Sequence, residues 1–219
     1  MSRLARIVAV ALITAGVVIL ADVVATLVWK EPLSAVYASV RQNQAADQLD
    51  TVSDEFLQDP AVAGLAGEGD SPRRAEQLAG LFAKKLEDGK PIGRIEIPAI
   101  DADYVLIQGT EEADLERGPG HYSDTALPGQ GKTIGIAGHR TTYGAPFNQI
   151  DKIEKGDPIT VEMPYGTFSY TVSDTKIVDN VGHERLVLTS CHPLYSAAQR
   201  YAVFADLDRI ELTQPATGR

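Results

Sequence analysis

From residue 91 onward the chain is cut into short apolar runs that alternate every second residue, and this pattern limits the fold most. The runs are 92–100 (IGRIEIPAI), 104–107 (YVLI), 133–137 (TIGIA), 159–163 (ITVEM), 168–178 (FSYTVSDTKIV), 186–189 (LVLT) and 201–207 (YAVFADL). Period two places successive side chains on opposite sheet faces, and the Gly, Pro and Asp between runs supply turns. Seven or eight such strands with little helix between them favour a closed or nearly closed barrel or a sandwich.

The first third reads differently. Residues 7–29 (IVAVALITAGVVILADVVATLVW) carry a single charge, Asp22, close to the far end. As a helix this run is roughly 34 Å long, enough for a bilayer core, with Trp29 placed like an interfacial aromatic. A cleaved signal peptide has a shorter apolar stretch followed by a small-x-small site, and here the apolar run continues through Val23, Val24 and Ala25. An uncleaved single-pass anchor is therefore expected, after a cytoplasmic tail of residues 1–6. Arg3 and Arg6 before the span are matched by Lys30 and Arg41 after it. The short N-terminal tail and the long C-terminal segment favour the N-terminus inside. The body is then expected on the extracellular face of the cell membrane.

Residues 30–90 read as an extracytoplasmic stalk or linker. Leu33, Val36, Tyr37 and Val40, and later Leu49, Val52 and Phe56, recur at helical spacing. A helical stalk and a partly disordered spacer both fit. Ser71-Pro72 opens a second helix, with Leu78, Leu81, Phe82 and Leu86 on one face and Gly89 at its close.

Composition removes several function classes. With 20 Lys and Arg against 30 Asp and Glu, the formal charge is −10. A chain this acidic is unsuited to neutralising phosphates, so no nucleic-acid partner is expected. One cysteine excludes an internal disulfide and a multi-cysteine zinc site. No clustered carboxylates point to calcium, and no metal or cofactor is expected.

That cysteine, Cys191, ends the apolar run 186–190 and enters a polar, turn-forming neighbourhood, Ser190-Cys191-His192-Pro193. An exported protein gains little from an unpaired thiol, which invites oxidation, so its presence points to nucleophilic chemistry. Such a nucleophile needs a base. His192 is adjacent, but neighbours in an extended chain face opposite ways. His121 sits in the turn 118–122, and His183 in a short loop. His139 ends the strand 133–137 through Gly138, and a strand end is where a catalytic group is commonly mounted. Arg200 lies nine residues after Cys191, and an antiparallel return would bring it beside the thiol as an oxyanion donor.

Ala137-Gly138-His139-Arg140, Leu188-Thr189-Ser190-Cys191 and the following Arg200 resemble the His, Cys and Arg motifs of sortases. The longer stretches 137–147 (AGHRTTYGAPF) and 189–201 (TSCHPLYSAAQRY) resemble class E sortases of high-GC Gram-positive bacteria. The resemblance covers about residues 91–210. It implies a mainly β, eight-stranded barrel with short helices over 91–219, preceded by the transmembrane helix and the stalk. It also implies a cysteine transpeptidase that cuts a C-terminal sorting motif of secreted proteins between Thr and Gly. The acyl group then passes to a cell-wall amine, usually of a peptidoglycan precursor. On this resemblance Cys191 is the nucleophile, His139 the acid and base, and Arg200 the oxyanion or substrate stabiliser. Tyr122, Tyr143, Ser190 and His192 are the expected substrate-binding residues. The class implies Leu-Ala-x-Thr-Gly over the Leu-Pro form.

The stretch 177–186 (IVDNVGHERL) is shorter than the usual connection before the cysteine strand. This leaves room for a catalytically impaired sortase-like binding or assembly factor. An L,D-transpeptidase is a further alternative, but it would show Ser-x-Gly-Cys where this chain has Thr189-Ser190-Cys191.

Overall fold

The computed structural model describes residues 3–29, 32–65, 69–175, 184–192 and 199–213, with side chains undescribed at 4, 22–29, 32–35, 192, 199 and 200. The expected connection 177–186 falls mostly outside the described residues, as does His183. Four helices come first: α1 (Arg3–Trp29), α2 (Pro32–Leu57), the single turn α3 (Pro60–Ala63) and α4 (Pro72–Ala83). Strands β1 (Pro91–Ile97), β2 (Ala102–Gln108), β3 (Gly120–His121), β4 (Thr133–Ala137), β5 (Pro158–Met163), β6 (Gly166–Asp174), β7 (Arg185–His192) and β8 (Gln199–Leu212) follow. One helical turn, α5 (Glu112–Leu115), lies between β2 and β3.

The strands close into a barrel in the order β1-β2-β3-β4-β7-β8-β6-β5. Closure leaves no long sheet edge to protect. β4 and β7 run parallel, and their continuous apolar runs suit strands covered on both sides. β6 alternates strictly, with Phe168, Tyr170 and Val172 buried between half-exposed neighbours. The expected first strand stops earlier than residue 100. Pro98 has no N–H to donate, and Pro98–Ile100 form a 3-10 turn. β3 has only two residues, too few to show a period, so His121 sits in a strand rather than in the expected turn.

α4 begins where expected, with the Ser71 hydroxyl accepting from the Arg74 N–H at 3.2 Å. It ends at Ala83. Gly89, at φ +75°, instead serves the turn into β1, its N–H donating to the Gln108 carbonyl.

α2 is a helix docked on the barrel. Its expected apolar positions divide: Val36, Tyr37 and Val40 are exposed, whereas Leu49, Val52 and Phe56 face the barrel. The docking face is Ala38, Gln42, Ala45, Leu49, Val52 and Phe56, with Ala38, Ala45 and Phe56 fully buried. Small residues allow close approach, and Gln42 supplies the polar match. Its amide accepts from the Val105 N–H at 2.7 Å and donates to the Val105 and Arg117 carbonyls at 3.2 and 2.6 Å. Gln42 thus substitutes for a strand partner where β2 has none. Phe56 packs edge-on against Phe82 of α4 and Tyr165, with centroids 5.1 and 6.2 Å away. The barrel core therefore draws on residues well before position 91.

Among the described residues, no helix is long and apolar enough to cross a membrane.

Candidate active site

The site lies where β4 and β7 end together. Their parallel register pairs Ile136 with Leu188 and Ala137 with Thr189. His139 lies two residues past Ala137, where β4 ends, and Cys191 two residues past Thr189. Ile136 and Leu188 belong to the barrel core, whereas Thr189 and Cys191 are half-buried and Ser190 is buried. Alternation therefore sends Cys191 to the outer face of the barrel and Ser190 to the inner one.

β7 also pairs antiparallel with β8, and this register sets Arg200 directly opposite Cys191. The expected antiparallel return is thus present. His139, Cys191 and Arg200 stand on three adjacent strands, with Cys191 in the middle.

Past the last ladder pair, the two strand ends stay joined. The Gly138 N–H donates to the Thr189 carbonyl at 3.1 Å, and the Ser190 hydroxyl donates to the Gly138 carbonyl at 2.8 Å. Ser190, expected to bind substrate, therefore spends its hydroxyl on the main chain that leads to His139. Gly138 is required by close approach, since a Cβ there would lie 2.5 Å from Phe147 Cδ2.

The His139 ring stacks at a tilt on Tyr143, with centroids 5.1 Å apart. Its Nε2 is enclosed and has no hydrogen-bond partner. Burial pushes the imidazole below its ordinary value of 6.5, while Glu116 and then Glu112 pull weakly the other way. The ring is therefore neutral at pH 7, with a nitrogen free to take a proton. Tyr143 sits at φ +51°, a left-handed conformation rare outside glycine, in the turn after the catalytic strand. A hydrogen bond to Glu116 leads the causes that raise its phenol above the usual range.

Tyr122 touches the cysteine strand as well. Its hydroxyl shares a hydrogen bond with the Thr189 hydroxyl at 3.3 Å, two residues before Cys191 on the same face. His192 and Arg200 are placed here by backbone alone, at the end of β7 and the start of β8. His121, by contrast, is a structural residue. It is buried, with Nδ1 on the Gln108 Oε1 at 3.0 Å and Nε2 on the Ala126 carbonyl at 2.9 Å.

Sequence reasoning passed over Arg140, which is buried beside His139 and bonded to Cys191. Its only signal was its place inside a quoted motif. Among the described residues, no group of His, Cys, Asp and Glu is arranged to hold a metal.

Comparison with known proteins agrees with this geometry. The sortase domain family matches residues 95–208. Sortase SrtE2 of Streptomyces coelicolor is 32% identical over 226 residues, covering 91% of this chain and 80% of the relative. Sortase D of Bacillus subtilis is 37% identical over 141 residues, 59% of this chain and 70% of the relative. The crystal structure of sortase E1 from Streptomyces coelicolor with a tripeptide in the active site superposes with a TM-score of 0.53. It is 26% identical and covers 57% of this chain and 91% of that one. A closed eight-stranded barrel, with Cys191 at the end of one strand and His139 just past the end of its parallel neighbour, carries the same conclusion: the chain belongs to the sortase family of transpeptidases and is similar to its class E members.

Proposed function

We propose that this protein is a membrane-anchored sortase that cleaves a C-terminal sorting motif between Thr and Gly. The acyl group then passes to a cell-wall amine. The observation that carries this reading is the parallel pairing of β4 and β7, which puts His139 just past the end of one strand and Cys191 at the end of the other.

In this reaction the Cys191 thiol gives its proton to His139 Nε2, and the sulfur attacks the Thr carbonyl carbon. The carbonyl oxygen becomes an oxyanion, for which Arg200 is the donor. As the intermediate collapses, the Thr–Gly bond breaks and the imidazolium protonates the departing glycine amine. A thioester remains on Cys191. An incoming amine attacks it, His139 takes the amine proton, and the thiol is released. Where water replaces the amine, the net reaction is hydrolysis. The contacts of Tyr122 with Thr189 and of Tyr143 with His139 support a role for both in lining the path of the motif. Likeness to class E sortases favours Leu-Ala-x-Thr-Gly over Leu-Pro-x-Thr-Gly.

The membrane assignment rests on residues 7–29, which carry one charge. Ile7, Leu12, Ile13 and residues 17–20 of α1 are exposed apolar side chains for lipid to cover. The catalytic barrel then lies on the extracellular face of a single-pass protein. Its partners there are secreted proteins bearing sorting signals and a peptidoglycan precursor amine.

The test uses the full chain in detergent, because Phe56, Leu78 and Phe82 complete the barrel core. Peptides of both motif types are added and the intact mass is read. The expected result is an adduct on Cys191 ending at Thr, larger for the Leu-Ala peptide and absent in Cys191→Ala. Turnover that persists in Cys191→Ala overturns the mechanism. Recovery of the protein from cells in the soluble fraction without detergent overturns the anchor.

A further inference from the structure

Arg140 follows His139 directly, and its side chain is 3% exposed. Its guanidinium reaches three acceptors on two separate segments, Cys191 of β7 and the turn 148–151. Nη1 donates to the Cys191 carbonyl at 3.3 Å, Nε to the Asn148 carbonyl at 3.3 Å, and Nη2 pairs with Asp151 at 2.6 Å. Around it, Asn148 Nδ2 donates to the Arg140 carbonyl at 3.0 Å and the Phe147 N–H donates to the His139 carbonyl at 3.0 Å. The sheet bonding between β4 and β7 has ended by this point. Beyond Gly138 and Ser190, Arg140 is the next link across the gap.

We propose that Arg140 is a positioning residue for the Cys191–His139 couple, with Asp151 holding its fork in place. This rests on the reading of Cys191 and His139 as the reacting pair. Burying a guanidinium is costly unless its N–H groups are met, and here each direction of the fork has an acceptor. Five N–H groups in one rigid plane can address three acceptors on two segments at once. A lysine ammonium, a point charge on a flexible stem, cannot. The backbone it clamps carries Cys191 on one side and leads directly from His139 on the other. Misplacing such a pair by about 1 Å costs on the order of a hundredfold in rate.

The experiment compares wild type, Arg140→Lys, Asp151→Asn and His139→Ala as full chains in detergent, each with its folded fraction measured by melting. Alkylation of Cys191 by iodoacetamide is followed across pH, because this chain has one thiol and the probe needs no peptide substrate. The wild-type profile is expected to depart from that of His139→Ala, since coupling to the imidazole shapes it. Arg140→Lys is expected to move toward the His139→Ala profile. With sorting peptide, its kcat is expected to fall about a hundredfold while KM changes little. Asp151, half-exposed, keeps the test open if Arg140→Lys folds poorly, and Asp151→Asn is expected to shift the profile the same way by less. If His139→Ala departs from wild type but both Arg140→Lys and Asp151→Asn superimpose on it, the positioning role is overturned and the catalytic reading stands. If His139→Ala itself superimposes on wild type, there is no couple to position and both fall.

Discussion

Cys191 on β7 and Arg200 on β8 are direct cross-strand partners, while His139 follows the end of β4, the parallel neighbour of β7 on the other side. In the proposed reaction this order gives proton transfer from one edge of the cysteine strand and charge stabilisation from the other.

Replacement of Arg200 tests the second part. If it stabilises charge that appears only in the transition state, Arg200→Ala should lower kcat more than it raises KM. Loss of one oxyanion donor costs on the order of 3 kcal/mol, about a hundredfold. Arg200→Lys keeps the charge without the planar fork and should restore activity only in part. Steady-state kinetics on the Leu-Ala peptide decide this, and an unchanged kcat in Arg200→Ala removes the residue from the site.

His139→Ala should cost far more acylation than His192→Ala, because His139 follows the strand that pairs with the cysteine strand, across from it rather than along it. The pH dependence has a sign as well. Burial holds His139 below 6.5, so protonation of the free enzyme should appear below that pH, giving an acid limb to the acylation profile. Titrating the His139 ring by NMR should find its midpoint below 6.5, and a midpoint above it contradicts the burial argument.

His121 predicts how stability responds to acid. Burial, the largest cause, pushes its imidazole below 6.5, with the Ala126 carbonyl and Asp124 opposing. The unfolded chain therefore takes up this proton first as pH falls. Stability from this group is complete above about pH 6.5 and is lost as pH drops through the folded value. His121→Gln should flatten that acid dependence in denaturant titrations, and an equal slope in the variant would exclude His121 as its source.

Gln42→Ala probes the docked helix. It strips the Val105 N–H and two carbonyls of their partner. An unsatisfied buried group costs about 1–3 kcal/mol, and a chain of this size loses about 2–4 °C in Tm per kcal/mol. Calorimetry should show that loss. A Tm equal to wild type means that α2 contributes nothing to the barrel.

Gly138→Ala tests the tight turn into the catalytic histidine. The added methyl meets the Phe147 ring at 2.5 Å, and overpacking of this kind costs about 1–3 kcal/mol. Since the same displacement moves His139, kcat should fall together with Tm. A stable and fully active variant would show that the strand end yields without consequence.

The features legible along the chain are those that depend on near neighbours in it. Period-two runs became strands because alternation decides which face of a residue meets the core, as in β5 and β6. Ser71-Pro72 set the start of α4 through a local cap. Cys191 and His139 could be read because they end apolar runs, and a strand end is a local feature. The features that stayed out of reach involve partners far apart in sequence. Nothing local marks Gln42 as the partner of Val105, 63 residues away, so residues 30–90 read as a stalk or linker rather than as a helix docked on the barrel. The hydroxyl of Ser190 looked available until Gly138, 52 residues earlier, claimed it. The carbonyl that Arg140 reaches lies 51 residues on, so its role stayed hidden inside a motif already in view. Burial and hydrogen bonding across a barrel are properties of register between strands, and register is settled only when every strand has found its neighbours.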